Sequence, residues 1–269
     1  MYTRAITADE EASPRVRIVE SDVDLYYHMA VELYREIAAH PGDTLACILP
    51  VGPVFYLRRL VWLLRMMPVD CSGLHLFFMD EYLGEDGHLI APDDPLSFRG
   101  FVRRELVEPL AGFSGFRTGQ VYFPDPDAAA GYDARIEELG GIELCLAGVG
   151  INGHLAFNEP PAEDDPTWKE QGTRVVDLSR ETITINSNTA LGGAWEVIPK
   201  RAITVGIRQI LASRKLRIYL NRPWQRAVAR KLLFGSVSAT FPASYAQEHP
   251  DAVVTMLADI ANPPQLGLR

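Results

Sequence analysis

Residues 148–159 read Gly-Val-Gly-Ile-Asn-Gly-His-Leu-Ala-Phe-Asn-Glu, a glycine-rich turn followed by an imidazole and, five residues on, a carboxylate. A histidine in that setting has the makings of a general acid/base, His154, held by an acid, Glu159. The first six residues are also a literal G-x-G-x-x-G, which suggests a dinucleotide site. That motif needs its third glycine to enter a helix of several turns, and here Pro160 and Pro161 follow almost at once. The better reading is a turn at a strand's carboxyl end that exposes backbone N–H groups and presents His154 to a crevice. Asp80-Glu81, at the end of the apolar run LHLFFM, supplies a second acidic centre. Neighbouring strand residues point to opposite faces, so only one of the two reaches a given pocket. A plainer alternative is a pair of solvated strand-end acids. Pro50-Val51-Gly52-Pro53 stands where many folds place a phosphate loop, but Pro53 lacks an N–H and Val51 a hydroxyl, so it reads as a tight turn. His28, His40, His75, His88 and His249 lack the setting of His154, and none pairs with cysteine or acid at metal-ligand spacing. No metal is expected.

Something must hold these groups in place, and the hydropathy pattern says what. Leu25, Met29, Leu33 and Ile37 recur at four-residue spacing, which predicts a helix over 24–39, stopped by Pro41-Gly42. LACIL (45–49), LHLFFMD (74–80) and IELCLAG (142–148) are short continuous apolar runs, the pattern of strands covered on both faces. Helices are expected over 55–67, 97–110 and 128–140, and another ending at Gly235. Further strands are expected at 202–207, 216–220 and 252–257. Strands alternating with helices imply an α/β fold, a doubly wound, mostly parallel sheet with helices on both faces, Rossmann-like in plan. No linker divides residues 1–269, so one domain is expected, and the polar stretch 159–200 is a candidate lid or insertion.

Composition limits the partners. With 26 Lys and Arg against 35 Asp and Glu the net charge is −9, which argues against nucleic acid or an anionic membrane. An anionic ligand must find a local basic pocket. Three cysteines, Cys47, Cys71 and Cys145, two of them in apolar runs, point to a reducing, cytoplasmic compartment. The first residues carry Asp9, Glu10 and Glu11 and no signal-like apolar stretch, and no run approaches the ~20 residues of a membrane span.

FFMDEYLG (77–84) together with GVGINGHLAFNEPP (148–161) resembles the glucosamine-6-phosphate deaminase (isomerase) family, relatives of 6-phosphogluconolactonase. Ile198-Pro199-Lys200 leading into AITVGI, and PASYAQEHPDAVV near the end, extend the resemblance over nearly the whole chain. It implies a cofactor-independent conversion of an amino-sugar phosphate to a ketose phosphate plus ammonia. Asp80 falls on the family's general base, which moves a proton between C2 and C1; His154 falls on the ring-opening acid/base and Glu159 on the carboxylate that orients it. The resemblance also implies substrate contacts at Gly52, Glu81, Asn152, Gly153, Asn188 and Arg226, with Tyr82 in support, and, since relatives are often oligomers, a homo-oligomer.

Three departures matter. Asn152 stands where the family usually has Asp, and an amide can accept a hydrogen bond from the imidazole but cannot stabilise imidazolium by charge. The loop at 50–54 lacks the family's Thr and paired glycines, and Asn188 replaces an expected Arg, while Arg226 matches an expected Lys. The small-molecule partner is therefore an amino sugar or sugar phosphate, with a substrate lacking phosphate at the usual place, or carrying a different group, as the expectation. Two other functions compete: a sugar lactone hydrolase in which His154 activates water, and a catalytically impaired sugar-binding or regulatory homologue.

Overall fold

A computed structural model describes residues 1–9, 11–264 and 267 of the chain. The described residues form ten strands and nine α-helical segments, in the order β1 (Arg15–Val19), α1 (Asp22–Ala39), β2 (Leu45–Leu49), α2 (Tyr56–Met66), β3 (Leu74–Phe78), β4 (Asp80–Leu83), α3 (Phe98–Val102), α4 (Glu108–Leu110), β5 (Val121–Tyr122), α5 (Ala129–Glu138), β6 (Leu144–Ala147), β7 (Arg174–Asp177), α6 (Arg180–Ala190), β8 (Arg201–Thr204), α7 (Ile207–Leu211), β9 (Lys215–Leu220), α8 (Gln225–Phe234), β10 (Ala252–Leu257) and α9 (Ala258–Ala261). Seven strands form a wholly parallel sheet in the order β1-β10-β9-β6-β2-β3-β5.

The continuous apolar runs become strands because each of their two faces has its own core. Leu45, Cys47 and Leu49 of β2 pack with α1 and α2, while Ala46 and Ile48 between them pack with residues of α5, α7 and α8. β6 divides the same way, Leu144 and Leu146 to one side and Cys145 and Ala147 to the other. Period-two alternation between two covered faces is what a doubly wound sheet requires. On α1, Ser21 accepts from the Asp24 N–H and Asp24 from the Ser21 N–H, a capping box that fixes the helix start. Its buried stripe is Leu25, Met29, Leu33 and Ile37, each side chain contributing about 1.5–3 kcal/mol by burial.

Three expectations are corrected. The run 74–80 is not one strand: Met79 donates to Leu49 O at 3.1 Å on the parallel sheet, while its carbonyl accepts from Val205 N at 2.6 Å, and β4 then joins a second sheet. That sheet is antiparallel, ordered β4-β8-β7, and it takes β8, which the alternation placed in the main sheet. The helix expected over 97–110 is α3, one wider π turn over Arg103–Val107, and α4. Pro109, with no N–H to continue the α ladder, follows that turn. The polar stretch 159–200 carries β7 and α6.

Candidate active site

The carboxyl ends of β2, β3, β6 and β9 open on a cavity of about 390 Å³ whose wall includes Gly52, Asp80, Tyr82, His154, Asn186 and Arg222. From β2 the chain proceeds outward through β3 to β5, whereas from β6 it proceeds the other way through β9 to β10, so the β2–β6 seam is the topological switch point. The loop bearing Gly52 follows one of these strands and the loop bearing His154 the other.

His154 is placed by its own glycines. Gly150 N donates to His154 O at 3.0 Å, and Gly153 N donates to Gly150 O at 3.0 Å, closing the loop on itself. A Cβ on Gly150 would lie 2.1 Å from imidazole Cε1 and Nε2, so the ring rests directly on the Gly150 backbone. Gly153 has φ +91°, and a Cβ there would meet the Phe241 ring at 2.4 Å. Gly153 therefore shapes the turn and does not line the cavity, contrary to its expected substrate contact. Further along, Ala156 holds φ +53°, pinned where Phe157 N donates to Thr204 Oγ1 at 3.0 Å and Asn158 Nδ2 donates to Leu155 and Val205 carbonyls.

Behind the ring, His154 Nδ1 lies 3.8 Å from Glu159 Oε2 and 3.3 Å from Thr182 Oγ1, while Nε2 has no protein partner among the described residues. Ser179 N donates to Glu159 Oε1 at 3.1 Å, and Asn152 Nδ2 donates to Oε2 at 2.5 Å. Burial opposes the Glu159 charge, but His154, the Thr182 hydroxyl and the Asn152 amide outweigh it and hold the carboxyl down to about 2. Asn152 corrects the sequence expectation. Its Oδ1 takes the His154 backbone N–H at 3.3 Å, so it does not accept from the imidazole, and its amide serves Glu159 instead. It stands behind the ring and outside the cavity wall.

Asp80 and Glu81 face opposite ways, as adjacent strand residues must. Asp80 lines the cavity at 8% exposure, and no protein donor reaches its carboxyl among the described residues. Burial, and secondarily the neighbouring Glu81, push it up to about 8. Glu81, fully buried, instead accepts from Tyr82 N, Ser97 Oγ, Phe98 N and Arg99 N at 2.8–3.1 Å and ties down the start of α3. Glu81 does not itself line the cavity; it stands behind the wall and holds Tyr82, Ser97 and Phe98, which do, so the structure gives it a supporting place where the sequence expectation had a substrate contact.

Two more expected contacts fall outside the cavity. Asn188 is exposed on α6, whose cavity face is Ile185, Asn186 and Thr189. Arg226 turns away to pair with Asp259. The residues missed instead are Asn186, whose amide donates to the Tyr82 hydroxyl at 3.1 Å, Thr182 and Arg222. A Ser179 N-cap followed by 182, 185, 186 and 189 on one helical face was the available signal.

Among the described residues no group of three or more His, Cys, Asp or Glu is placed to hold a metal ion. Likewise, no helix among them is long and apolar enough to cross a membrane. The three free cysteines are buried, and burial raises each thiol, Cys71 to about 11, which makes them poor nucleophiles.

No family model matches the chain. It is 36% identical over 252 residues to a glucosamine-6-phosphate deaminase of Rhodopirellula baltica, with 91% of this chain and 93% of the relative covered. A glucosamine-6-phosphate deaminase of Hahella chejuensis is 30% identical over 252 residues, with 92% and 91% covered. Among solved structures, a monomeric glucosamine-6-phosphate deaminase superposes with TM-score 0.78 at 24% identity, covering 91% of this chain and 98% of that one. The 6-phosphogluconolactonase of Trypanosoma cruzi superposes with TM-score 0.68 at 16% identity, covering 97% and 98%. These two likenesses show a shared fold.

Proposed function

The chain belongs to the glucosamine-6-phosphate deaminase family, and from that premise we propose that it converts an amino sugar or its phosphate to the ketose with release of ammonia. The observation that carries the proposal is Asp80, a buried cavity carboxyl without a protein donor, held at about 8. A group poised there both takes and returns a proton near neutral pH. Lactone hydrolysis would need no such group.

His154 protonates the ring oxygen as the C1 hydroxyl loses its proton, and the sugar opens to the aldehyde. Glu159, held charged, stabilises the imidazolium that forms when the ring takes a proton back. The C2 proton, acidified by the C1 carbonyl, passes to Asp80. His154 returns to O1 the proton it took from the C1 hydroxyl, giving the enolamine; Asp80 then delivers its proton to C1 as the nitrogen loses one, leaving the C2 imine. The C2 imine then adds water and expels ammonia, so amino sugar plus water gives ketose plus ammonia. No cofactor enters any step.

The chain works as one domain in this proposal, and 159–200 acts as the cover, since α6 contributes Ile185, Asn186 and Thr189 to the wall. Exposed Tyr27, Phe55, Trp62 and Met66 on and beside α1 and α2 support self-association into a homo-oligomer. A cytoplasmic setting fits the three free thiols. The test is turnover in deuterated water: ammonia release with deuterium at C1 of the ketose is expected. Opening of a sugar lactone without ammonia or deuterium would transfer the protein to the hydrolase class.

A further inference from the structure

The hydrogen bonds behind His154 can be followed proton by proton. Thr182 is fully buried in the first turn of α6, and its Oγ1 stands 3.3 Å from His154 Nδ1, closer than Glu159 Oε2 at 3.8 Å. The hydroxyl, and not the carboxylate, is within hydrogen-bond reach of that nitrogen. Ser179, which caps the same helix, decides what the hydroxyl has left to offer. Its Oγ accepts from Thr182 N and from Asn152 Nδ2, each at 3.2 Å, and with both lone pairs taken it donates its own hydrogen to Thr182 Oγ1 at 3.0 Å.

Thr182 Oγ1 then keeps one hydrogen and one lone pair for two neighbours. Glu159, a charged carboxylate, can only accept, so the hydrogen goes there and helps hold that acid down. The lone pair remains for Nδ1, which must bring a hydrogen of its own. A neutral imidazole with its hydrogen on Nδ1 has its lone pair on Nε2. Ile185 and Asn186, one turn further along α6, wall the cavity, so the helix that meets the substrate also holds the histidine.

We propose that Thr182 is a positioning residue that keeps neutral His154 in its Nδ1–H form, so that the imidazole exchanges protons with the sugar through Nε2 alone. The inference rests on the deaminase function above. There the proton given to the ring oxygen leaves Nε2 and the proton of the C1 hydroxyl enters at Nε2, which requires Nδ1 to keep its hydrogen throughout. With the hydrogen on Nε2 instead, the ring has no lone pair for the C1 hydroxyl proton. A wrong tautomer of this kind lowers turnover by about 10⁴ in the serine protease triad.

Nitrogen-15 NMR of histidine-labelled protein, with His154 assigned by its loss in His154→Gln, reads the tautomer without turnover. On the alkaline side of the imidazole titration, wild type should show a protonated Nδ1 and an unprotonated Nε2. Thr182→Val keeps the shape and the backbone N–H of the cap but loses the hydroxyl, and should move His154 toward the Nε2–H form. Thr182→Ser should restore the wild-type pattern, and Thr182→Ala repeats the test should Thr182→Val fail to fold. Kinetics on whichever of glucosamine and glucosamine 6-phosphate the wild type deaminates should show kcat falling by about 10- to 100-fold in Thr182→Val, with KM within about twofold and Thr182→Ser within about threefold of wild type. The proposal is overturned if wild-type His154 carries its hydrogen on Nε2, if Thr182→Val leaves the tautomer or kcat unchanged, or if Thr182→Ser is as impaired as Thr182→Val. A tautomer that follows Thr182 without ammonia release from either sugar would keep the Thr182 assignment and sink the deaminase function. Ammonia release by a wild type whose His154 carries its hydrogen on Nε2 would do the reverse.

Discussion

Replacing Asp80 by Asn removes the group on which the site's proton chemistry turns, and its energetics follow from its surroundings. In the folded chain the carboxyl rises from an ordinary 3.8 to about 8, through burial first and the adjoining Glu81 second. The folded state thus holds this proton more tightly than the unfolded state does. Its contribution favours the fold fully below about pH 4 and is lost as pH rises from about 4 to 8. At about 1.36 kcal/mol per pH unit, that interval sets a ceiling of about 5 kcal/mol. The cavity admits water to the carboxyl, and we expect about 2–3 kcal/mol to be realised. An amide is neutral at every pH, so Asp80→Asn escapes the loss. Urea unfolding followed by fluorescence, for which the chain has four tryptophans, should show the variant gaining about 2–3 kcal/mol on wild type between pH 4 and 8.5 at constant m. Its Tm should rise by several degrees relative to wild type over the same interval, while ammonia release is abolished because an amide accepts no proton. A difference in stability that stays flat from pH 4 to 8.5 would refute the claim that Asp80 is held protonated by its site.

Gly150→Ala puts a Cβ where the imidazole lies and must push the His154 ring aside. Steady-state kinetics should show kcat falling by about 100-fold with the far-ultraviolet circular dichroism unchanged. Asn152→Asp turns a donor on Glu159 Oε2 into a second carboxylate at about the same 2.5 Å separation. The pair cannot both ionise without repulsion, so the variant should lose about 1–3 kcal/mol relative to wild type as pH rises past about 5, read by unfolding at pH 4 and pH 8. Equal stability differences at the two pH values would mean that the amide does not support the Glu159 charge.

The strands with apolar residues on both faces were legible because two covered faces leave no polar position: β2, β9 and β10 lie within a residue of where the runs place them. β1 and β7 were not, since RVRIV and RVVD carry charges that a strand at a sheet edge tolerates. α6 was hidden by composition. RETITINSNTA is rich in β-branched and polar residues with weak helical preference, and its Ser179 cap and packing against the cavity override that preference. Asp80, His154 and Glu159 were legible from local pattern, as was the opposite orientation of Glu81. Arg222 was not, because it follows the turn after β9, where alignment by motif passes over it to Arg226. Only the direction of α8, which turns Arg226 toward Asp259, separates the two.

The break at Met79 that interrupts the expected strand is also what makes Asp80 chemically useful. Had the run continued in the parallel sheet, residue 80 would extend an interior strand of that sheet. By crossing to the antiparallel sheet, the chain sets Asp80 opposite Thr204 at the cavity wall, with Glu81 turned back to cap α3. The one carboxyl receives no compensation and rises to about 8, whereas Glu159, behind His154, receives two N–H donors and an imidazole and falls to about 2. Two acids in one site driven that far apart divide the labour between them: the first exchanges protons near neutral pH, and the second stays a fixed charge. Asn152 belongs to this division, because an acid in its place would compete with Glu159 for the same charge. An amide at this position thus keeps the separation on which the proposed proton transfers depend.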